Sequence, residues 1–94
     1  MTLRELFDLH QAQLIDVRTP GEFVAGPQTA GPYTAINIPL QEFAQRFGEI
    51  DRHRPVIVVC AAGARSGQAC SYLVQQGYTQ VYNGVNLATV AREL

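Results

Sequence analysis

Residues 55–67 read Pro-Val-Ile-Val-Val-Cys-Ala-Ala-Gly-Ala-Arg-Ser-Gly, and they contain the strongest strand signal of the chain. The run Pro55–Val59 is continuously apolar and rich in β-branched residues, which is typical of a central strand covered on both faces in a parallel sheet. It runs directly into Cys60. Ser66 can cap a helix over about 66–76, with Gly77 as its left-handed C-terminal residue. The stretch therefore predicts a buried strand, a short loop and a helix.

Hydrophobic spacing and turn residues predict the other elements. The predicted helices are a first one opened by the capping box of Thr2 and Glu5, then Pro20–Val24, Leu40–Phe47 and Val85–Leu94. The predicted strands are Gln13–Val17, Ala35–Ile38 and Gln80–Tyr82, the last followed by a turn at Asn83-Gly84. The segment 26–34 contains two Gly-Pro steps and is predicted to be a surface loop.

Strands that alternate with helices imply right-handed crossovers between parallel strands. The expected fold class is α/β, with a small open parallel sheet of about five strands flanked by helices on both faces. A chain of 94 residues, 47% of them hydrophobic, has room for one modest core. We therefore expect a single domain spanning residues 1–94.

Composition excludes several classes of function. The formal net charge is -1 and the seven basic residues are scattered, so no broad cationic face for nucleic acid is expected. No apolar stretch approaches the ~20 residues of a membrane span, and the N-terminus lacks the layout of a signal peptide. We expect a cytoplasmic protein. Its two cysteines do not form a dense disulfide framework, so they are expected to remain thiols.

The loop after the central strand has the features of a nucleophile site. Ligands bind at the carboxyl ends of strands in open α/β sheets, where Cys60 is placed. The loop residues that follow it are small and can turn their amides towards the sulfur: Ala61, Ala62, Gly63 and Ala64. The start of the next helix near Ser66 adds a positive dipole end. These features stabilise a thiolate on Cys60, and Arg65 could hold an oxyanion such as thiosulfate while the sulfur attacks.

Other residues have more modest interpretations. Asp16 ends the first strand and is expected to accept loop amides, whereas Arg18 and Glu22 are spaced to pair as a structural salt bridge. His10 and His53 could form a dyad with Cys60 but are expected at the surface.

Cys60 itself could be a buried structural thiol, although the Arg, the small loop and the helix start favour a functional one. Cys70 is spaced with Ala69, Leu73 and Val74 on one inward helix face, so it is expected to pack in the core, with a resolving thiol as the alternative. The spacing of the two cysteines does not favour a metal site, and phosphate-loop and dinucleotide fingerprints are absent, so no cofactor is expected.

The chain resembles rhodanese-like domains, and among them the small single-domain bacterial sulfurtransferases of the phage-shock type. Three segments in the correct order are similar to family signatures: LIDVRTPGEF at 14–23, AINIPL at 35–40 and the active-site loop CAAGARS at 60–66. The resemblance implies that Cys60 forms a persulfide, that amides from Ala61 to Arg65 surround it, and that Asp16, Arg18 and Glu22 brace the site. Four residues separate Cys60 from Arg65, as in sulfurtransferases, whereas related phosphatases have one more.

Two segments depart from the family pattern. The family usually has a His-Ile-x-Gly-Ala stretch before the second signature. Here the segment 26–34 is longer and Pro-rich and lacks the His and Gly of that stretch, so the loop beside the site is expected to differ in shape. The usual Gly-Gly pair near the C-terminus is replaced by Gly84-Val85, and the Trp that usually follows it is absent. Neither departure removes the nucleophile.

Three functional hypotheses follow. The first is a thiosulfate sulfurtransferase that moves sulfane sulfur from thiosulfate or a similar anion to a thiophilic acceptor, cyanide or a thiol, through a Cys60 persulfide. The second is a sulfur-relay module that takes persulfide from a partner protein and has little activity on free thiosulfate. The third, an arsenate reductase or phosphatase, is disfavoured by the four-residue spacing.

Overall fold

The structure is a computed structural model that describes residues 1–94. Its strands are β1 (Gln13–Asp16), β2 (Thr29–Ala30), β3 (Tyr33–Thr34), β4 (Ile36–Asn37), β5 (Val56–Val59) and β6 (Val81–Val85). Its α-helices are α1 (Leu3–His10), α2 (Pro20–Ala25), α3 (Phe43–Arg46), α4 (Ala64–Gln75) and α5 (Leu87–Arg92). The chain thus alternates strands and helices, as the sequence predicts.

Four of the strands form one parallel sheet, in the order β4-β1-β5-β6. The sheet has four strands where about five were expected, and β2 and β3 pair with each other as a separate antiparallel ribbon. The most apolar strand, β5, lies between β1 and β6 and all four of its residues are buried. Since the strands are parallel, their carboxyl ends meet at one edge, where Cys60 follows β5.

Alternate residues of β5 face two separate hydrophobic layers. Val56, Val58 and Cys60 belong to the cluster that includes Ala69 and Leu73 of α4. The intervening residues of β5, Ile57 and Val59, belong to the other cluster. That cluster also contains Phe7 of α1 and Leu87 and Val90 of α5. Helices therefore cover both faces of the sheet, as expected, and Cys60 lies on the α4 side.

The segment 26–34 is more ordered than a surface loop. It contains the β2–β3 ribbon, and Ala30 is fully buried in the cluster formed with α1 and α5. The ring of Tyr33 stacks on that of Phe7, with centroids 4.0 Å apart. The sequence does not reveal this ribbon, because the segment is Pro-rich and each of the two strands is only two residues long.

Two helices and the orientation of one side chain differ from the sequence prediction. The helix after Cys60 begins at Ala64 with Gly63 as its N-cap, so Ser66 lies inside the first turn and does not cap it. Val74 on this helix is 60% exposed and does not face inward. The predicted helix over 40–47 is broken into α3 with a 3₁₀ turn at each end.

A β-bulge interrupts the pairing of β6 with β5 at the predicted turn. Val58 pairs with Asn83 and Val59 with Val85, so Gly84 is the extra residue. A side chain at Gly84 would have no space, because a Cβ there would lie 2.8 Å from Val90, 2.9 Å from Ile57 and 3.0 Å from Val59. The Asn-Gly pair therefore continues the strand and does not end it.

Replacing Gly84 with Ala is expected to reduce the free energy of unfolding by about 1–3 kcal/mol, because the added methyl overpacks fully buried side chains. Urea unfolding followed by circular dichroism measures this change. Gly21→Ala is the matched control, since nothing lies within 4 Å of a Cβ at that position. Equal urea midpoints for Gly84→Ala and the wild type would show that the bulge has room for a side chain.

Candidate functional site

Cys60 lies at the carboxyl end of the central strand and is only 3% exposed. Its backbone N–H donates to the carbonyl of Val85 in β6, at 2.9 Å, which keeps the strand pairing continuous up to the cysteine. The amide of Gly63 donates to the Cys60 Sγ at 3.0 Å, and the Ser66 Oγ lies 3.3 Å from the same sulfur. The loop thus turns polar hydrogens towards a nearly buried sulfur.

This loop favours the thiolate form of Cys60. Burial acts to raise the pKa of the thiol, but hydrogen bonds from the hydroxyl and amide of Ser66 act in the opposite direction. The amides of Gly63 and Ala62 also lower the pKa of Cys60, so it falls below the ordinary thiol value. Cys70 has no such donors, and burial raises its pKa to about 11. The two cysteines therefore differ sharply in thiolate content at neutral pH.

The turn itself depends on Gly63, which adopts a left-handed conformation with φ of 99°. Its carbonyl accepts a hydrogen bond from the amide of Gly67 at 3.0 Å and lies 3.1 Å from the Ser66 Oγ. Replacing Gly63 would strain this backbone, because residues with a Cβ rarely adopt a φ of 99°. Among the amides of the predicted loop, that of Gly63 makes the 3.0 Å hydrogen bond to the sulfur.

Two asparagine side chains from the neighbouring strand and its end brace the loop. Asn83 donates to the carbonyl of Gly63 at 3.1 Å, and its Oδ1 lies 2.7 Å from the Ser66 Oγ. Asn86 donates to the carbonyl of Ala61 at 3.2 Å. These contacts hold both halves of the loop against β6.

Sequence reasoning missed both asparagines. Asn83 precedes a Gly, and this pair predicts a turn, which is its commonest structure. Asn86 caps α5 by accepting from the amide of Thr89 at 2.7 Å, whereas the predicted helix begins at Val85, two residues before α5, and so places Asn86 inside it. An Asn directly before a helical pattern is the signal that could have identified it.

The ion pairs differ from the predicted arrangement. Arg18 and Glu22 do not pair, and this prediction is wrong. Glu22 instead accepts two hydrogen bonds from Arg65, at 2.6 Å and 3.0 Å, and these, with the capping contacts of Thr19, hold the pKa of Glu22 at about 2. The reason is the capping box of α2, which directs Glu22 back towards the active-site loop. The guanidinium fork of Arg65 is therefore occupied by a carboxylate.

Arg18 pairs with Asp16 in the interior of the protein. Asp16 is fully buried, and its carboxylate accepts from the Arg18 side chain at distances of 2.6 Å to 3.0 Å and from the Arg18 amide at 3.0 Å. Arg18 also donates to the carbonyl of Pro27 at 2.7 Å. The pair ties the end of β1 to the segment after α2. Asp16 thus accepts a loop amide, as expected.

The remaining candidates lie away from the sulfur. His10 and His53 are exposed, and neither contacts Cys60 by a hydrogen bond. A cavity of about 350 Å³ is lined by residues distant from the loop: Met1, Leu6, His10, Gln80 and Tyr82. The structure contains no group of three or more metal-ligating side chains. None of the helices is long and apolar enough to cross a membrane.

Alkylation of Cys60 by iodoacetamide is expected to follow a pH midpoint below that of an ordinary thiol, because the loop donors stabilise the thiolate. Ser66→Ala removes one of these donors and should move the midpoint upward. Peptide mass spectrometry at a series of pH values measures labelling of each cysteine, and Cys70 should remain unlabelled near neutrality. Ser71→Ala on the exposed side of α4 is the control. An unshifted Ser66→Ala profile would contradict the assigned donor.

Asp16→Asn is expected to lower the free energy of unfolding by about 3–5 kcal/mol, because it leaves the buried Arg18 charge without its partner. Chemical denaturation of the purified variant measures the loss. Glu49→Gln breaks the exposed pair with Arg46, whose side chains are 52% and 34% accessible, and should change stability little. If both variants unfolded at the same denaturant concentration, the Asp16–Arg18 pair would not stabilise the junction between β1 and the segment after α2.

Comparison with known proteins places this architecture in a family. Residues 2–84 match the model of the "Rhodanese-like domain" family. A sulfurtransferase from Allochromatium vinosum is 40% identical over 80 residues, covering 85% of this chain and 71% of that protein. The thiosulfate sulfurtransferase PspE of Escherichia coli is 40% identical over 79 residues, covering 82% and 72%. The solved structure "rhodanese with anions from E. coli" superposes with a TM-score of 0.70 at 39% identity, covering 85% of this chain and 92% of that one. The chain therefore belongs to the family of rhodanese-like domains.

Proposed function

We propose that the protein is a sulfurtransferase that carries sulfane sulfur as a persulfide on Cys60. The donor is thiosulfate or a similar sulfur compound, and the acceptor is cyanide or a thiol. The observation that carries the proposal is the 3.0 Å hydrogen bond from the Gly63 amide to the Cys60 Sγ, at the start of α4. Relatives with the names sulfurtransferase and thiosulfate sulfurtransferase support the same chemistry.

The reaction divides into two displacements at sulfur. The Cys60 thiolate attacks the outer sulfur of thiosulfate, the new Cys60 S–S bond forms, and the old S–S bond breaks with its electron pair leaving on sulfite. An acceptor such as cyanide then attacks the outer sulfur of the persulfide, and thiocyanate leaves while the Cys60 thiolate is restored. No external base is required, because the loop already favours the thiolate.

The loop backbone supplies the positive field for these anions. The amides that lower the pKa of Cys60 also suit a persulfide anion, and the positive end of the α4 dipole lies at the same turn. Arg65 contributes less than its charge suggests, because Glu22 neutralises it at 2.6 Å. Catalysis then rests on fixed dipoles, which need no reorganisation when charge moves between donor, sulfur and acceptor.

The paired Arg65 also favours the alternative function. A relay module that receives persulfide from a partner protein does not need a free cation to hold thiosulfate. Both functions use the same Cys60 chemistry and differ in the donor. Either would operate in a reducing compartment such as the cytoplasm, where both free cysteines remain thiols.

Incubation with thiosulfate is expected to add one sulfur, roughly 32 Da, to the intact protein, because Cys60 forms a persulfide. Cys60→Ser should abolish the gain, and Cys70→Ser should retain it, since the pKa of Cys70 is about 11. Intact mass spectrometry measures the product, and loss of the added mass on cyanide treatment confirms that it is sulfane sulfur.

The donors separate the two functions. A gain with thiosulfate supports the thiosulfate sulfurtransferase, whereas loading only from a persulfide-bearing protein supports the relay. A gain that persists in Cys60→Ser would refute both.

A further inference from the structure

Val85 has a backbone conformation that its residue type disfavours. Its φ is 71°, in the left-handed region, where a β-branched side chain is a genuine outlier. The bulge at Gly84 produces this conformation, because the extra residue rotates the chain before it rejoins β5. Strained residues and bulges are concentrated beside functional sites, where a bulge changes the direction of a side chain. Val85 therefore merits a functional explanation.

Val85 contacts two residues of the active-site loop, Cys60 and Gly63. Its carbonyl accepts from the Cys60 amide at 2.9 Å. Its side chain packs on Gly63, whose missing Cβ would lie 3.3 Å from Val85 Cγ1. Gly63 in turn donates to the Cys60 sulfur. The left-handed conformation thus places a half-buried isopropyl group beside the residue that binds the reacting atom.

The active-site loop, which Val85 contacts at Gly63, exposes apolar side chains and no unpaired charge. The exposed residues of this loop carry only methyl groups: Ala61, Ala62 and Ala64. The nearest cation on the loop, Arg65, is already paired with Glu22. A strongly hydrated dianion gains little from such surroundings, whereas an apolar group attached to the sulfane sulfur gains contact area.

We propose that Val85 is a specificity-determining residue that favours sulfur donors bearing an apolar organic group over inorganic thiosulfate. This inference rests on the proposed Cys60 persulfide and names its donor class, an organic thiosulfonate or persulfide. With a thiosulfonate, the Cys60 thiolate attacks the outer sulfur, a new S–S bond forms, and the sulfinate leaves with the electron pair of the broken S–S bond. The apolar group of the leaving sulfinate lies against Val85.

Two thiosulfonates test this contact at constant charge. Benzenethiosulfonate and methanethiosulfonate carry the same reactive sulfur and differ only in the apolar group. The ratio of their kcat/KM values, measured as thiocyanate formed from cyanide, should fall about threefold to tenfold in Val85→Ala, since two methyl groups are lost. Val85→Asn should reduce the ratio as well, and Asn tolerates the left-handed backbone, so this variant keeps the fold.

Val74→Ala is the matched control, because it removes the same two methyl groups from a position on α4 that is 60% exposed. Its ratio should equal that of the wild type. If Cys60 gains sulfur from both thiosulfonates but the ratio is unchanged in both Val85 variants, the inference is wrong and the proposed function stands. If the wild type gains no sulfur from thiosulfate, from either thiosulfonate or from a persulfide-bearing protein, the proposed function is wrong, and the inference fails with it.

Discussion

The left-handed turn at Gly63 is the constraint on which the active-site loop depends. It lets the chain leave the buried strand at Cys60 and begin α4 four residues later, at Ala64. Its amide binds the sulfur, while its carbonyl accepts from the amide of Gly67 in α4 and from Asn83. A side chain at this position would disturb the backbone and also meet Val85. One residue without a Cβ thus joins the strand, the helix, the nucleophile and the neighbouring strand.

The sequence predicts well those features that local chemistry determines. The apolar run before Cys60 and the capping box of α1 appear where the pattern places them, and the small residues after Cys60 form the loop. Local preference was strong in each case, and tertiary contacts agreed with it. The fold class followed from these elements, because alternating strands and helices leave few topologies.

The features that sequence reasoning missed depend on contacts between distant residues. Glu22 and Arg65 are 43 residues apart, and nothing in the local spacing reveals that α2 points Glu22 at the active-site loop. The Asn83-Gly84 pair has a strong turn preference, yet three buried side chains around Gly84 hold it in a strand. Two-residue strands such as those of the ribbon carry too little pattern for periodicity to detect.

The bulge in β6 also bears on how the molecule behaves at high concentration. β6 forms one edge of the sheet, and an edge strand offers unpaired backbone groups to which a second chain could add. The extra residue at Gly84 and the left-handed Val85 interrupt the regular spacing that such pairing needs. The opposite edge, β4, is only two residues long. The geometry that presents a side chain to the sulfur loop therefore also protects the sheet against edge-to-edge aggregation.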